Sequence, residues 1–430
     1  MTLQTDMQEL DICATDATVG QGRIDCRGVL SGIRVLDLTR VVAGPLAAQT
    51  LADLGADVIK IERVGEGDDL RTLGPPWVEG RPGAPEQSTY FQMVNRNKRS
   101  IGLDFSRPQG AALLRRLAAE SDVFIENFRT GTLARYGLGY EDLRKLNPRL
   151  IYCSITGFGQ TGPYNDRSGY DYLVQAMGGQ MAVTGQPEAD GGIPTRVGVP
   201  IADITAGNNA AIAILAALLH RQNGGQGQHI DIALFDSQVA LLMNNIGSWL
   251  NARAPLPRTG NEHPTAVPNG VFECADGFIL IATFNDREFA RLAGALGHPE
   301  WAEDPRFLRS RDRLENRVAL TAEMNAVLST NLRAHWMERI LAAKVSCGPI
   351  NEMPDIEEDP QLQARGMFVT MEHPVTGTVR LVGSPLRLSE TPVSYRSAPP
   401  LAGEHSDEVL RQCLSLSAEE LEKLRDEAII

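Results

Sequence analysis

The amino-acid sequence predicts an α/β protein, with a large, doubly wound, Rossmann-like domain and a smaller α+β domain. Apolar strand-like runs alternate with amphipathic helical runs from Arg34 to about residue 156, the pattern of parallel strands joined by helical crossovers. Near residue 252 the chain turns polar and proline-containing, and hairpin-like sequence follows. The length, 430 residues, exceeds what one compact core holds, so two domains are expected.

Each element has its own signal. Arg34 to Leu38 reads as a strand, Pro45 to Leu54 as a helix and Asp57 to Glu62 as a second strand, a β-α-β unit with a parallel pair. "RSIGLDF" is strand-like, "SRPQGAALLRRLAAES" has a serine cap, an early proline and helical apolar spacing, and "DVFIEN" is a short buried strand. "EDLRKLNPRLIYCSITGFG" repeats helix and strand. An apolar helix begins near Asp203, the turn "RQNGGQGQ" follows, and then come the alternating strand "HIDIALFD" and a helix to about Leu250. "GVFECADGFILIATFND" is an antiparallel hairpin turning at Ala275-Asp276-Gly277, with Arg- and Glu-rich helices after it. "RGMFVTMEHPVTGTVRLVGSPLRLS" reads as further β structure, and "SAEELEKLRDEAII" as a closing amphipathic helix.

Composition narrows the partners. A net charge of -13 argues against nucleic acid and anionic membranes, both polyanions that such a surface repels, so any anionic ligand needs a local basic pocket. The six cysteines (Cys13, Cys26, Cys153, Cys274, Cys347, Cys413) lie far apart with no C-x-x-C pair and no zinc-ligand spacing, which reads as free thiols in a reducing, cytoplasmic setting without a metal. Residues 1–28 are acidic, lack a basic start and an apolar core, and read as a loose tail rather than a secretory signal. The longest apolar run, Ala210 to Leu219, is too short to span a bilayer.

Glu62, ending the second strand, invites a dinucleotide reading, but the glycine fingerprint is missing. The first turn is Thr39-Arg40-Val41-Val42-Ala43-Gly44-Pro45, with β-branched side chains where a pyrophosphate needs bare backbone. Nicotinamide and flavin are therefore not expected. Asp203 in "VGVPIADITAGNNAAIAILAALL" has two compatible readings: a cap for the helix that starts there, or a reactive carboxylate. The helix dipole favours its ionised form.

The segments "VLDLTRVVAGP", "LGADVIKIER", "NRNKRSIGLD", "ENFRTG", "GFGQTGP", "GYDYLVQAMGG", "VGVPIADITAG", "RTGNEHP", "CGPINEM" and "GEHSDEVL", in this order, resemble the class III CoA-transferase family (CaiB/BaiF type), nearest its succinyl-CoA:dicarboxylate members. The resemblance runs from about Gly32 to the C-terminus. It implies that Asp203 is a catalytic nucleophile passing through an acyl anhydride and an aspartyl-CoA thioester, with CoA as carrier and no other cofactor. It further implies CoA contacts from Arg40, Val42, Ala43, Arg63, Leu103, Asn127, Phe128 and Arg135, and backbone amides near Gly44, Gly178, Gly179 or Gly198 for oxyanions. Lys98 and Arg99 are phosphate candidates or plain surface residues.

The racemase branch of the family pairs its aspartate with a histidine before an Asp; here Tyr170 precedes Asp171, a poor neutral-pH base, which favours CoA transfer. A racemase and a non-catalytic CoA-binding protein are the alternatives. Arg129 and Arg167 are positive groups that suit the far carboxylate of a dicarboxylic acid such as glutarate, malate or itaconate, or else lie on the surface. His263 either faces the site or fastens a turn. The resemblance also implies an interlocked homodimer, with residues 29–225 forming the large domain, 226–265 a helical linker, 266–350 the small domain, and 351–430 a return to the large domain.

Overall fold

A computed structural model describes residues 28–430. All but the last residue of the expected N-terminal tail, with Cys13 and Cys26, lies outside the described residues. The central sheet has six strands: β1 (Arg34–Asp37), β2 (Asp57–Glu62), β3 (Lys98–Gly102), β4 (Val123–Glu126), β5 (Ile151–Thr156) and β6 (His229–Ala233). Their order is β3-β2-β1-β4-β5-β6, and every neighbouring pair is parallel. Strand order reverses direction between β1 and β4, which opens a crevice at the carboxyl ends of those two strands.

Both faces of the sheet are covered: apolar members of β1 to β5 fill the cores, and charged members such as Asp37, Lys60 and Lys98 are buried in pairs. Successive side chains alternate across the sheet, so Val35, Val58, Val123 and Ile125 enter one core while Leu36, Ile59 and Phe124 enter the other. In chain order the helices include α1 (Ala43–Asp53), α2 (Thr89–Met93), α3 (Pro108–Ala119), α4 (Tyr140–Leu146), α5 (Asp171–Met177), α6 (Ile201–Gln222), α7 (Leu234–Leu241) and α8 (Met243–Ala252). After them come α9 (Asp286–Leu296), α10 (Arg317–Leu328), α11 (Arg333–Ala342), α12 (Ser406–Leu414) and α13 (Ala418–Asp426). Helices α1 and α6 supply the first core; α3, α12 and α13 supply the second through Leu114, Val409, Leu410 and Leu421.

Helices α1 and α6 meet along small residues. A Cβ on Gly207 would sit 2.6 Å from the carbonyl oxygen of Ala43, so glycine is what permits this approach. At 22 residues, α6 is longer than the apolar run that suggested it, and it is long and apolar enough to cross a membrane. Its buried stripe, from Ala202 through Ala206, Ala210 and Ile214 to Leu218, belongs instead to the first core.

Contacts divide the chain into two units. The first holds the described residues up to Val174, Pro200–Ala240 and Ala364–Ile430; the second holds Gln175–Val199 and Leu241–Gln363. In the second unit, β7 (Asn269–Cys274), β8 (Gly277–Ala282) and β9 (Ser346–Pro349) form an antiparallel sheet over a core that includes Phe272, Ile281, Phe289, Leu292, Met324 and Trp336. A hairpin of β10 (Phe368–His373) and β11 (Gly377–Val382) lies in the first unit. Strand β6 stops at Ala233, short of the predicted "HIDIALFD", because Leu234 already begins α7.

Candidate active site

The crevice between β1 and β4 is built on buried charge. Lys98 is fully buried, and its ammonium donates to Asp37 Oδ2, Asn95 Oδ1 and the Pro45 carbonyl, each at 2.9 Å. Lys60, equally buried, donates to the Thr39 carbonyl at 2.8 Å and pairs with Asp68 at 2.9 Å. Asp37 in turn accepts from the Thr39 amide at 3.0 Å and from its hydroxyl. The loop leaving β1 is thereby fixed from below. Burial pushes the Lys98 ammonium down to about 8, with Asp37 opposing the shift.

Two residues expected at the surface or on phosphates lie inside instead. Lys98 and Arg99 are both buried; Arg99 is spent on a bidentate pair with Asp57 (2.8 and 2.9 Å) and on Glu408 at 2.8 Å. Leu103 is 1% exposed within the second core, which leaves its side chain no surface for a ligand.

Above this base, Asn127 clasps Arg40: its Oδ1 accepts the Arg40 amide at 3.0 Å and its Nδ2 donates to the Arg40 carbonyl at 2.7 Å. The Arg40 guanidinium lies 5.3 Å from the Phe128 ring centroid and 3.0 Å from Asp69. Asp69 also pairs with Arg63, which reaches Glu66 at 3.0 Å as well. Between Arg40 and Val42, Val41 has φ of +68°, a region that β-branched residues rarely occupy, and its amide is held by Asp68 Oδ1 at 3.2 Å. Val42 precedes α1 and Ala43 opens it, two residues earlier than predicted, so the first-turn amides of α1 face this crevice. Gly44 is glycine for a local reason: a Cβ there would meet the Thr39 side chain at 2.3 Å. Arg135 is exposed on the turn Leu133–Tyr136 and pairs with no acidic side chain among the described residues.

Asp203 stands in the first turn of α6, three residues after Pro200, and its side chain does not cap the helix. The cap comes from outside. Asp171 Oδ1 accepts the amides of Ala202 at 2.8 Å and Asp203 at 3.3 Å. The Asp203 carboxylate accepts no hydrogen bond from any described residue, and burial, with Asp171 beside it, pushes its pKa up to about 7. The dipole-favoured ionised form expected from sequence is thus overridden by desolvation. Asp203 and Gly207 share a face of α6 one turn apart, and Gly207 touches Ala43. The carboxylate therefore lies beside the start of α1.

Tyrosines flank Asp171 in the chain, and a third, Tyr90, lies near Asp203. Tyr170 is 71% exposed and Tyr172 54%. Tyr90, on α2, was not singled out from sequence; burial and then the charges of Asp203 and Asp171 raise its hydroxyl to about 12, so it stays a donor. Phe91 beside it lies under Arg71 at 3.7 Å, and Arg71 is locked to Glu62 at 2.7 Å, which anchors α2. Arg129 donates to Ser168 Oγ at 2.6 Å, and the neighbouring Arg167 stacks 3.9 Å over Tyr164. Both are exposed, and Ser168, which accepts from Arg129, lies two residues before Tyr170. His263, in the second unit, fastens a turn: its Nδ1 accepts the amides of Thr265 (3.2 Å) and Ala266 (3.0 Å).

The model of CoA-transferase family III matches residues 30–406. The chain belongs to that family. This CoA-transferase is 46% identical over 388 residues to "Succinate--glutarate CoA-transferase" of Agrobacterium fabrum (strain C58), covering 89% of this chain and 95% of the relative. It is 39% identical over 413 residues to "Succinyl-CoA:glutarate CoA-transferase" of Mus musculus, covering 96% and 93%. The crystal structure of a CAIB/BAIF family protein from Brucella suis superposes with a TM-score of 0.81 at 43% identity, covering 90% of this chain and all of that one. An acyl-CoA and a carboxylic acid are the substrates this family membership carries.

Proposed function

We propose that the enzyme moves CoA from succinyl-CoA to a second dicarboxylic acid, such as glutarate, malate or itaconate, through an aspartyl-CoA thioester on Asp203. One observation carries this reading: a carboxylate beside the start of α1 that Asp171 relieves of capping and that accepts no hydrogen bond from the described residues. A carboxylate with pKa near 7 is half ionised at neutral pH and is more basic than an ordinary aspartate.

Asp203 attacks the thioester carbonyl, the C–S bond breaks, and CoA leaves as thiolate. The thiolate attacks the aspartyl carbonyl of the anhydride, releasing the donor acid and leaving Asp203 bonded to sulfur. The acceptor carboxylate attacks that thioester, and the same two exchanges in reverse deliver acyl-CoA and restore Asp203. Each activated carboxyl replaces another, so neither ATP nor a metal is needed. Arg40, Asn127 and Phe128 receive CoA, with Arg63 and Arg135 toward its phosphates; the first-turn amides of α1 near Gly44 serve the oxyanions. Tyr90 and Tyr170 donate to the bound acid, and Arg129 or Arg167 meets its far carboxylate. The working form is an interlocked homodimer in a reducing cytoplasm.

The test is incubation with succinyl-CoA and a panel of carboxylic acids, with new thioesters identified by mass. Thioesters of dicarboxylates, and a hydroxylamine adduct at Asp203, are expected. Alpha-proton exchange in a 2-methylacyl-CoA without CoA transfer overturns the reading.

A further inference from the structure

We propose that Glu126 is a positioning residue for acyl-CoA: through the Phe128 amide and the Asn127 side chain its carboxylate sets the grip on the Arg40–Val41 loop, and proton uptake on Glu126 loosens that grip. The proposal rests on the reading that this loop receives CoA.

Glu126 ends β4 and is 5% exposed. Its Oε2 accepts the Phe128 amide at 2.8 Å, so the chain folds back onto the carboxylate at once after the strand. Asn127 lies inside that turn and clasps both backbone groups of Arg40, at 3.0 and 2.7 Å. Beyond Arg40, Val41 holds its left-handed conformation only because it is gripped on two sides, by this clasp and by Asp68. One buried carboxylate thus stands at the base of a relay of hydrogen bonds that ends in a strained loop.

The groups facing Glu126 decide its proton. From β5, the Ser154 hydroxyl favours the charged form, while Tyr152 and Cys153 are themselves pushed up by burial and by the Glu126 charge. From β6, Asp231 opposes ionisation. No salt bridge to Glu126 exists among the described residues, and burial places the acid near 7. Ser154 Oγ also lies 3.0 Å from His229 Nε2, and the exposed His229 ring stacks on Tyr140. Asp231 and Glu141 face that imidazole, and burial keeps it below its usual value. The serine hydroxyl, between a buried acid and a surface imidazole, is a path by which the proton exchanges with water.

An ionised carboxylate holds an amide more tightly than a neutral acid does. As pH falls through about 7, Glu126 takes up its proton and CoA affinity drops by about fivefold.

The experiment is calorimetric titration of free CoA, between about pH 5.5 and 8.5, into the Asp203→Asn protein and into the same protein carrying Glu126→Gln. Asp203 then no longer titrates, and the 3′-phosphate of CoA, with its second pKa near ~6, contributes equally to both. Expected is a fivefold fall with a midpoint near 7 in the first protein, and in the second a loss of that component, with binding fixed at the low-pH level. Ser154→Ala removes the hydroxyl that favours the carboxylate and moves the midpoint upward, a result open even if the glutamine variant folds poorly. In turnover, the effect falls on the KM for acyl-CoA rather than on kcat. Identical pH profiles in the two proteins, or an unmoved midpoint in Ser154→Ala, overturn the proposal alone. Absence of CoA binding at every pH overturns it together with the CoA reading on which it rests.

Discussion

Asp171 Oδ1 accepts the backbone amides of Ala202 and Asp203, so one carboxylate caps α6 from outside the helix while its neighbour's side chain accepts no hydrogen bond from the described residues. The same contact sets two negative groups side by side. Asp171 thereby holds Asp203 in place and helps make it basic.

Asp203→Asn keeps the size and shape of the side chain and removes the carboxylate to which the covalent route is assigned. Turnover should fall by at least ~10³-fold, and intact-mass spectra taken during turnover should show a CoA adduct on the unaltered protein and none on the variant. Undiminished turnover would exclude the covalent route.

The pH profile should report Asp203. Its pKa is raised by burial first and by Asp171 second, and only the ionised form attacks, so kcat should rise with pH and level off above about 7. Asp171→Asn still offers an oxygen to the two amides but no charge. The inflection should move to lower pH, read from initial rates between about pH 5 and 9.

Stability should run opposite to activity. The folded Asp203 pKa is near 7 and its ordinary value is 3.8, so between those values the folded state binds the extra proton and stability declines as pH rises. Above about 7 the whole penalty is present. Asp203→Asn should therefore raise Tm at about pH 8 and lose that advantage below about pH 4, measured by thermal unfolding.

Asn127→Ala removes both hydrogen bonds to the Arg40 backbone, at 3.0 and 2.7 Å, and leaves two partly buried groups short of partners. A loss of about 1–3 kcal/mol in holding the loop should raise the KM for acyl-CoA roughly tenfold, with a smaller change in kcat.

Lys98→Ala strands Asp37 in a dry interior and frees the first turn of α1 from its tie to the Pro45 carbonyl. Destabilisation of about 3–5 kcal/mol is expected from urea unfolding. A surface-like lysine would cost almost nothing.

The parallel sheet was legible because strands covered on both faces carry consecutive apolar residues, as the middle of "RVLD" and the start of "VFIE" do, and because helical spacing separates them. Asp203 was legible as a carboxylate where an apolar helix begins. Its environment was not: capping by Asp171 joins residues 31 and 32 apart in sequence, and the raised pKa depends on burial that periodicity does not encode. Lys98 and Arg99 misled because a basic pair ordinarily signals solvent or phosphate, whereas here Asp37 and Asp57 draw both inward. Tyr90 gave no signal beyond "STYFQ"; its nearness to Asp203 arises from α2 being pinned under Arg71. The acidic "GDDL" segment after β2 was a readable clue to Asp68 and Asp69, which tie down Val41, Arg40 and Arg63.

Helices α12 and α13 close the second core with Val409, Leu410 and Leu421. During synthesis these groups emerge long after β4, with a delay on the order of tens of seconds at ribosomal rates. Until then Leu36, Ile59 and Phe124 lack part of their cover, so the nascent chain carries a sticky half-finished layer that chaperones have reason to shield.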